Sequence, residues 1–242
     1  IIFPLIISLP FYLSIYNISF IDCYFESISG FTSTGFTVFE NIKHLDQSLI
    51  LWRSTSQWIG GLYFLFSILL LIDIFDENLK KSLTNYFSFN SSEILKQSFK
   101  IILIYLSLTI TIFIILKFIN LRTFDAFNLS LTIISSGGFL PTNNINNIIQ
   151  NDLSIIIFSI LMLLSYFSLF LTYNLLFFKK KNINYLSEDV YLAIYLFTII
   201  SFVFVFFNNE NNFLNLLFSI ISSVSNIGIS INYVSPNLSF LF

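Results

Sequence analysis

Long apolar runs constrain this chain more than any other feature. Four stretches, 49–75, 101–119, 153–178 and 190–207, reach or approach the roughly 20 apolar residues that a helix needs to cross a membrane. A further apolar run covers residues 1–16. Only 10% of the residues are charged, whereas an ordinary soluble domain has about 25%. The pattern predicts an all-α integral membrane protein.

The composition also excludes several functional classes. A single cysteine, Cys23, allows no intrachain disulfide, and a single histidine, His44, cannot build a multi-histidine metal centre. The formal net charge of −2 and the scattered basic residues argue against nucleic acid as a partner. No group in the sequence suits covalent chemistry, so we do not expect an enzyme.

Positive charge predicts the orientation in the membrane. Seven of the eleven Lys and Arg residues lie in two segments. Four are within 76–100, and three, Lys179, Lys180 and Lys181, directly follow the run 153–178. Because positively charged loops stay inside the cell, both segments are expected in the cytoplasm. The short segments between the apolar runs then lie on the external side, and the chain is multi-pass.

Three short segments share one pattern. The segments 22–36, 125–139 and 215–229 are rich in Ser, Thr, Gly and Phe, and they are too short to span a membrane. In each segment an acid or amide precedes a glycine by 13 residues: Asp22 and Gly35, Asp125 and Gly138, Asn215 and Gly228. Hydroxyl residues align at two positions: Ser29, Thr132 and Ser222, and Thr32, Ser135 and Ser225. We interpret the segments as copies of a short re-entrant helix that ends in a glycine loop.

The repeat predicts the domain organisation. Each unit consists of a helix, a short helix with its pore loop, and a second helix. We assign 1–75 to a first unit that is clipped at its start, 101–178 to a second, and 190–242 to a third that is truncated at its end. Cytoplasmic linkers are expected at 76–100 and 179–189.

Such loops suit an ion path. A cation that has lost its water needs oxygen ligands, and rings of backbone carbonyls provide them in selectivity filters. Helical carbonyls are already bonded, whereas glycine permits the dihedral angles that turn free carbonyls toward an axis. We therefore expect helix–pore-loop–helix units around a central ion pore. The candidate ligands are backbone carbonyls of three tripeptides: Ser33, Thr34 and Gly35; Ser136, Gly137 and Gly138; Asn226, Ile227 and Gly228.

Charged residues near the loops have structural interpretations. Asp22 and Asp125 stand at the starts of two short segments, where we expect them to be helix N-caps. Arg53 lies early in an apolar run and is expected to pair with an acid, with Glu26 and Asp46 as the candidates.

Small and aromatic residues predict further contacts in the first unit. Gly60 and Gly61 are expected to let their helix approach the short segment closely. Trp52 and Trp58 fit an interfacial belt at the entrance of that helix. Cys23, at the start of the first short segment, is expected to be accessible from outside.

Several segments resemble the TrkH/KtrB potassium transporter family. Residues 25–35, Phe-Glu-Ser-Ile-Ser-Gly-Phe-Thr-Ser-Thr-Gly, resemble the first pore loop of that family. Residues 51–54, Leu-Trp-Arg-Ser, and 57–61, Gln-Trp-Ile-Gly-Gly, resemble the helix that follows. Residues 135–139, Ser-Ser-Gly-Gly-Phe, look like the second loop, and 225–228, Ser-Asn-Ile-Gly, look like a divergent third loop.

This resemblance has implications for function and assembly. It implies K⁺ uptake across the cell inner membrane, with K⁺ as the transported ion and no organic cofactor. It implies four units around one pore, of which this chain carries two and a half. It also implies a homodimer in the membrane lipid that works with a cytoplasmic nucleotide-binding regulatory subunit of the RCK/KTN type.

Other interpretations of the sequence remain open. A Na⁺-permeable relative would carry the same loops. A non-transporting membrane scaffold or lipid-embedded enzyme subunit would use the serine-rich segments only to pack helices. A solute carrier with a midplane site would place functional charges in its spans, but 101–119 and 190–207 contain only Lys117, near an end.

Overall fold

The structure, a computed structural model, is helical throughout its regular elements. It describes residues 2–75, 94–149, 151–166, 194–195, 197–199, 201, 213–229 and 231. The α-helices with defined bounds are α1 (Ile2–Tyr12), α2 (Phe20–Phe31), α3 (Gln47–Phe75), α4 (Ile94–Phe118), α5 (Thr123–Ile134), α6 (Asp152–Tyr166) and α7 (Phe213–Val224). The described residues 194–195, 197–199 and 201 are also helical. Two 3₁₀ turns cover Ile42–His44 and Ile145–Asn147, and the described residues contain no strand. The all-α prediction is confirmed for this part of the chain.

The three short helices have matching boundaries. Helices α2, α5 and α7 contain 12 residues each. Each begins two residues before the aligned acid or amide and ends nine residues after it. At 1.5 Å per residue each helix is about 18 Å long, which is too short to cross a hydrocarbon core of about 30 Å. The local structure therefore follows the 13-residue spacing in all three copies.

The chain forms two compact units, residues 1–144 and 145–242. In the first unit α2 packs against α1 and α3, and α5 packs against α3 and α4. Each short helix of this unit thus packs against two other helices. In the second unit α7 packs against α6, with the rings of Phe158 and Phe218 5.8 Å apart.

A buried cluster joins α1, α2 and α3. It consists of Ile7 and Phe11 from α1, Cys23 from α2 and Leu49 from α3. Cys23 has no exposed surface, so the predicted accessibility of this thiol is wrong. The physical reason is that α1 covers the side of α2 on which the thiol lies.

Helix lengths agree with a membrane protein. Ile101–Phe118 in α4 is long and apolar enough to cross a membrane, and it is the one such span found among the described residues. It exposes large apolar side chains such as Leu103, Ile110 and Ile114, as contact with lipid requires. Helix α3 has 29 residues, a length of about 43 Å.

The two predicted cytoplasmic linkers, 76–100 and 179–189, lie mostly outside the described residues. Helix α4 begins at Ile94, seven residues before the predicted start of the second unit. Leu95, Lys96 and Gln97 are good helix formers, which explains the extension into the predicted linker. The rest of that linker and the whole of 179–189 lie outside the described residues.

The N-caps differ from the prediction. In α2 the cap is Ser19, whose hydroxyl accepts from the Asp22 N–H at 3.2 Å and donates to the Asp22 carboxylate at 2.7 Å. In α5 the cap position is Arg122, which makes no side-chain capping bond, and its Nε lies 3.4 Å from Asp125 Oδ2. Both acids therefore stand in the first turn rather than at the cap. They still face the positive end of the helix dipole there.

The two tryptophans connect helices. Trp52 Nε1 donates to the Ile7 carbonyl of α1 at 3.0 Å, and Trp58 Nε1 donates to Thr109 Oγ1 of α4 at 3.1 Å. Both indoles therefore join neighbouring helices, and their position in an interfacial belt stays a prediction.

The orientation can be tested with introduced thiols in a Cys23→Ser background. A cysteine at the exposed position Lys43 should react with an impermeant thiol reagent in intact cells, because the loops are expected outside. A cysteine at Lys80, in the predicted cytoplasmic linker, should react only after permeabilisation. The unmodified chain is the control and should stay unlabelled, since Cys23 is buried. The reverse labelling pattern would invert the predicted topology.

Candidate functional site

The predicted loops share an unusual backbone. In every tripeptide the first and third residues have positive φ, and the middle residue does not: Ser33 (54°) and Gly35 (82°), Ser136 (51°) and Gly138 (77°), Asn226 (58°) and Gly228 (71°). Left-handed backbone costs an L-residue roughly 1–2 kcal/mol. The first residue of each loop carries this cost, and the third residue is a glycine that adopts positive φ freely.

Alternating handedness decides where the carbonyls point. In a strand, successive peptide groups face opposite sides, whereas alternating right- and left-handed residues turn successive N–H groups to one side and the carbonyls to the other. In each predicted tripeptide, two residues with positive φ flank a middle residue without it. We expect such backbone to leave carbonyl oxygens free for a cation.

Equivalent hydrogen bonds hold each loop on the end of its short helix. The first residue of each tripeptide donates its N–H to a carbonyl three residues earlier: Ser33 to Gly30 (3.0 Å), Ser136 to Ile133 (3.1 Å) and Asn226 to Ser223 (3.1 Å). The second residue donates to a carbonyl five residues earlier: Thr34 to Ser29 (2.9 Å), Gly137 to Thr132 (2.9 Å) and Ile227 to Ser222 (3.0 Å). Carbonyls at the end of each short helix thus accept hydrogen bonds from the first two N–H groups of its loop.

Two of the aligned hydroxyls reach past the loops. Ser29 Oγ donates to the Phe36 carbonyl at 2.5 Å, and Ser222 Oγ accepts from the Ile229 N–H at 2.7 Å. Phe36 and Ile229 hold the same position, directly after the loop glycine. Thr132 differs, because its hydroxyl bonds the Asn128 carbonyl within its own helix at 3.0 Å.

The first and second loops touch each other. A Cβ atom on Gly35 would lie 2.5 Å from the Gly137 carbonyl oxygen and 3.3 Å from Gly138 Cα. No side chain fits at Gly35, because the backbone of the second loop fills that space. The third loop belongs to the other compact unit, where a Cβ atom on Gly228 would meet nothing within 4 Å.

A buried arginine on α3 connects the segments around both loops. Arg53 is 1% exposed, and its Nε lies 2.7 Å from Oε1 of the fully buried Glu26 on α2. One terminal nitrogen donates to Thr37 Oγ1 at 3.0 Å, and the other donates to the Leu140 carbonyl at 3.4 Å. The guanidinium also lies 4.2 Å from the centre of the Phe139 ring. The predicted ion pair of Arg53 is confirmed, with Glu26 as its partner.

Glu26 is fully hydrogen-bonded in this buried position. Besides Arg53, its carboxylate accepts from Thr37 Oγ1 and from the Val38 N–H, both at 3.0 Å. The other candidate partner, Asp46, is exposed. Removing one member of such a pair leaves a buried uncompensated charge, which costs about 3–5 kcal/mol.

One turn after Arg53, Gln57 binds the second loop. Its fully buried amide donates through Nε2 to the Gly137 carbonyl and accepts through Oε1 from the Phe139 N–H at 3.3 Å. One side chain therefore bonds the backbone on both sides of Gly138. The Gly137 carbonyl, one of the predicted ion ligands, already has a protein partner.

Two glycines on α3 let it approach both short helices. A Cβ atom on Gly60 would overlap the Phe31 carbonyl at the end of α2. A Cβ atom on Gly61 would lie 2.7 Å from Tyr105 Oη and 3.1 Å from Ser135 Cβ. The predicted packing role of this glycine pair is confirmed.

Asn143 connects the segments that follow the two loops. Its Oδ1 accepts from the Ile42 N–H at 2.8 Å, and its Nδ2 donates to Asn41 Oδ1 at 2.8 Å and to the Glu40 carbonyl at 3.3 Å. No sequence pattern indicated this role, since Asn143 begins a polar tract that is typical of loops. Gln57, by contrast, stands out in the sequence as an amide within the apolar run 49–75.

Comparisons with known proteins agree with this geometry. No protein-family model matches the chain. It is 35% identical over 145 residues to an uncharacterized cation transporter of Methanocaldococcus jannaschii, covering 56% of this chain and 29% of that protein. It is 27% identical over 212 residues to the Trk system potassium uptake protein TrkG of Escherichia coli, covering 85% of this chain and 43% of that protein.

A solved structure has the same fold. The crystal structure of the potassium transporter TrkH from Vibrio parahaemolyticus superposes with a TM-score of 0.74 at 21% identity, over 96% of this chain and 50% of that one. The resemblance to the TrkH/KtrB family is confirmed. The TrkH-type fold is that of an all-α membrane protein.

The TrkH-type relatives also bear on enzymatic activity and on length. They are named as transporters or uptake proteins and not as enzymes, in agreement with the expectation for this chain. The chain spans less than half the length of the two sequence relatives and half of the solved structure.

The buried ion pair predicts a large effect on stability in this chain. Arg53→Met should lower the free energy of unfolding by about 3–5 kcal/mol, because Glu26 then stays buried without a counter-ion. Thermal unfolding in detergent, in the full reading frame that contains this sequence, measures the effect.

A second arginine pair provides the matched control. Arg122 lies 3.4 Å from Asp125, but its side chain is 65% exposed, and such pairs contribute about 1 kcal/mol or less. Arg122→Met should therefore change the unfolding temperature little. Equal effects of the two substitutions would contradict the structural role of the buried pair.

Proposed function

We propose that this chain is part of a potassium uptake pathway, in which backbone carbonyls of the pore loops replace the water around K⁺. The observation that carries the proposal is the alternating backbone of the three tripeptides. Positive φ recurs at aligned positions, including Ser33, Ser136 and Asn226, which carry side chains. The names of the TrkG and TrkH relatives support K⁺ as the ion.

Packing alone does not explain this backbone. A helix that only needs to end can do so with one left-handed residue, as many helices do. Here a second left-handed residue follows two positions later in each loop. A membrane scaffold would have no use for that second left-handed residue, whereas a row of carbonyl ligands requires it.

The electrostatics around the loops suit a monovalent cation. The buried charges beside the first loop, Arg53 and Glu26, compensate each other at 2.7 Å. The ion therefore meets carbonyl dipoles rather than a full negative charge. Such ligands bind K⁺ strongly enough for it to enter and weakly enough for it to leave, as conduction requires.

The remaining features of the pathway are part of the same proposal. We assign the third tripeptide, Asn226, Ile227 and Gly228, the same role as the first two because its own backbone has the same conformation. The preference for K⁺ over Na⁺, a multi-pass location in the cell inner membrane, a homodimer and a cytoplasmic RCK/KTN-type nucleotide-binding subunit follow from the resemblance to TrkH/KtrB proteins.

Substitution of the loop glycines tests the proposal. Gly35→Ser, Gly138→Ser and Gly228→Ser should each reduce the preference for K⁺ over Na⁺, because a side chain is strained at positive φ. A change of about 1.4 kcal/mol in relative binding corresponds to a tenfold change in selectivity. Gly35→Ser should have the larger effect on folding, since its Cβ would also collide with Gly137.

The measurement is the ratio of K⁺ to Na⁺ flux in liposomes that contain the full reading frame. Ser107→Ala is the control, because Ser107 is exposed on α4 and its hydroxyl bonds the Ile104 carbonyl of its own helix. If all three glycine variants kept the parent's ion preference at normal expression, the loops would be packing motifs. A parent that conducts Na⁺ as well as K⁺ would favour the Na⁺-permeable alternative.

A further inference from the structure

We propose that Gln57 is a positioning residue for ion selectivity. By binding the Gly137 carbonyl of the second loop, it keeps that oxygen turned away from the ion. This inference rests on the proposed potassium pathway. Gln57 lies on α3, outside the three loops, so its effect on the ion would pass through the backbone of the second loop. It contributes no ligand of its own.

The first support is the pair of hydrogen bonds that the Gln57 amide makes. Nε2 donates to the Gly137 carbonyl, and Oε1 accepts from the Phe139 N–H at 3.3 Å. The carbonyl before Gly138 and the N–H after it therefore turn toward α3. Both halves of a buried amide are satisfied by backbone that surrounds one left-handed glycine.

The second support is the absence of a side chain at Gly137. A Cβ atom there would coincide with the Gln57 amide, because the three atoms nearest to its position are Gln57 Cδ, Oε1 and Nε2. Gly137 has no positive φ, so backbone conformation does not require glycine at this position. Space for Gln57 explains why the loop has Gly137 there, whereas the aligned residues, Thr34 and Ile227, carry side chains.

The third support is the direction of the Gly137 carbonyl. Besides Gln57, this oxygen faces Gly35 of the first loop, at 2.5 Å from the position of a Cβ atom. It thus lies between α3 and the first loop. With this oxygen turned toward Gln57 and Gly35, we expect the carbonyls of Ser136 and Gly138 to be the ligands of the second loop, so that the first and second loops coordinate the ion unequally.

Arg53 strengthens this arrangement from the preceding turn. Residues four apart lie on one face of a helix, so Arg53 and Gln57 approach the second loop together. Arg53 donates to the Leu140 carbonyl at 3.4 Å and stacks on Phe139 at 4.2 Å. This face of α3 therefore holds the loop from Gly137 to Leu140.

Two substitutions of Gln57 separate its hydrogen bonds. Gln57→Met keeps the approximate shape and removes both bonds, whereas Gln57→Glu keeps the acceptor for Phe139 and removes the donor to Gly137. Thr55→Val is the control on the same helix, because the Thr55 hydroxyl bonds the Leu51 and Trp52 carbonyls of α3 itself. Fluxes of K⁺ and Na⁺ are measured in liposomes with the full reading frame.

We expect the ratio of K⁺ to Na⁺ flux to fall about fivefold in Gln57→Met, which corresponds to a change of about 1 kcal/mol in the relative binding of the two ions. Gln57→Glu should lower it further, since its carboxylate faces the Gly137 oxygen, and Thr55→Val should match the parent. If the parent selects K⁺ and both Gln57 variants keep its ratio, the inference is overturned and the proposed function stands. A parent without K⁺ flux would instead overturn the proposed function.

A double substitution distinguishes hydrogen bonding from packing, and it replaces Gln57→Met if that variant does not fold. Gly137→Ala alone should lower selectivity, because its Cβ displaces the Gln57 amide. Combining it with Gln57→Ala restores space for that Cβ but not the hydrogen bonds. Continued loss of selectivity in the double variant supports the inference, whereas recovery to the parent's ratio would contradict it.

Discussion

The buried ion pair between Arg53 and Glu26 is the interaction on which the arrangement of the first two loops depends. It joins α3 to the first short helix at 2.7 Å, and the remaining donors of the guanidinium hold the segments after both loops. Because each charge neutralises the other, a charged group lies beside the loops without adding a net charge to the proposed ion path. Carbonyl dipoles can then determine which ion binds.

Helix α3 supplies three kinds of contact from one sequence motif. Arg53 fixes the segments after the loops, Gln57 fixes the second loop itself, and the glycines at positions 60 and 61 let the helix reach the ends of α2 and α5. The strained backbone of the loops can persist because these contacts over-determine it. The polar residues in this apolar helix thus have a common purpose, which is to hold non-helical backbone inside a membrane protein.

The sequence predicted the local structure better than the contacts between segments. The 13-residue spacing located three short helices with matching ends, and the loop glycines adopt positive φ as expected. Local signals suffice there, because helix length and glycine conformation depend on nearby residues. The burial of Cys23 and the role of Asn143 depend on helices and loops distant in sequence, so no local pattern revealed them.

Direct observation of the ion tests the central claim. Tl⁺ scatters X-rays anomalously and resembles K⁺ in charge and size, so crystals of the full reading frame grown with Tl⁺ would show where the cation lies. The account predicts an anomalous peak surrounded by carbonyl oxygens of the tripeptides, among them those of Gly35 and Gly138. Tl⁺ bound elsewhere in the protein, with no peak at these carbonyls, would contradict it.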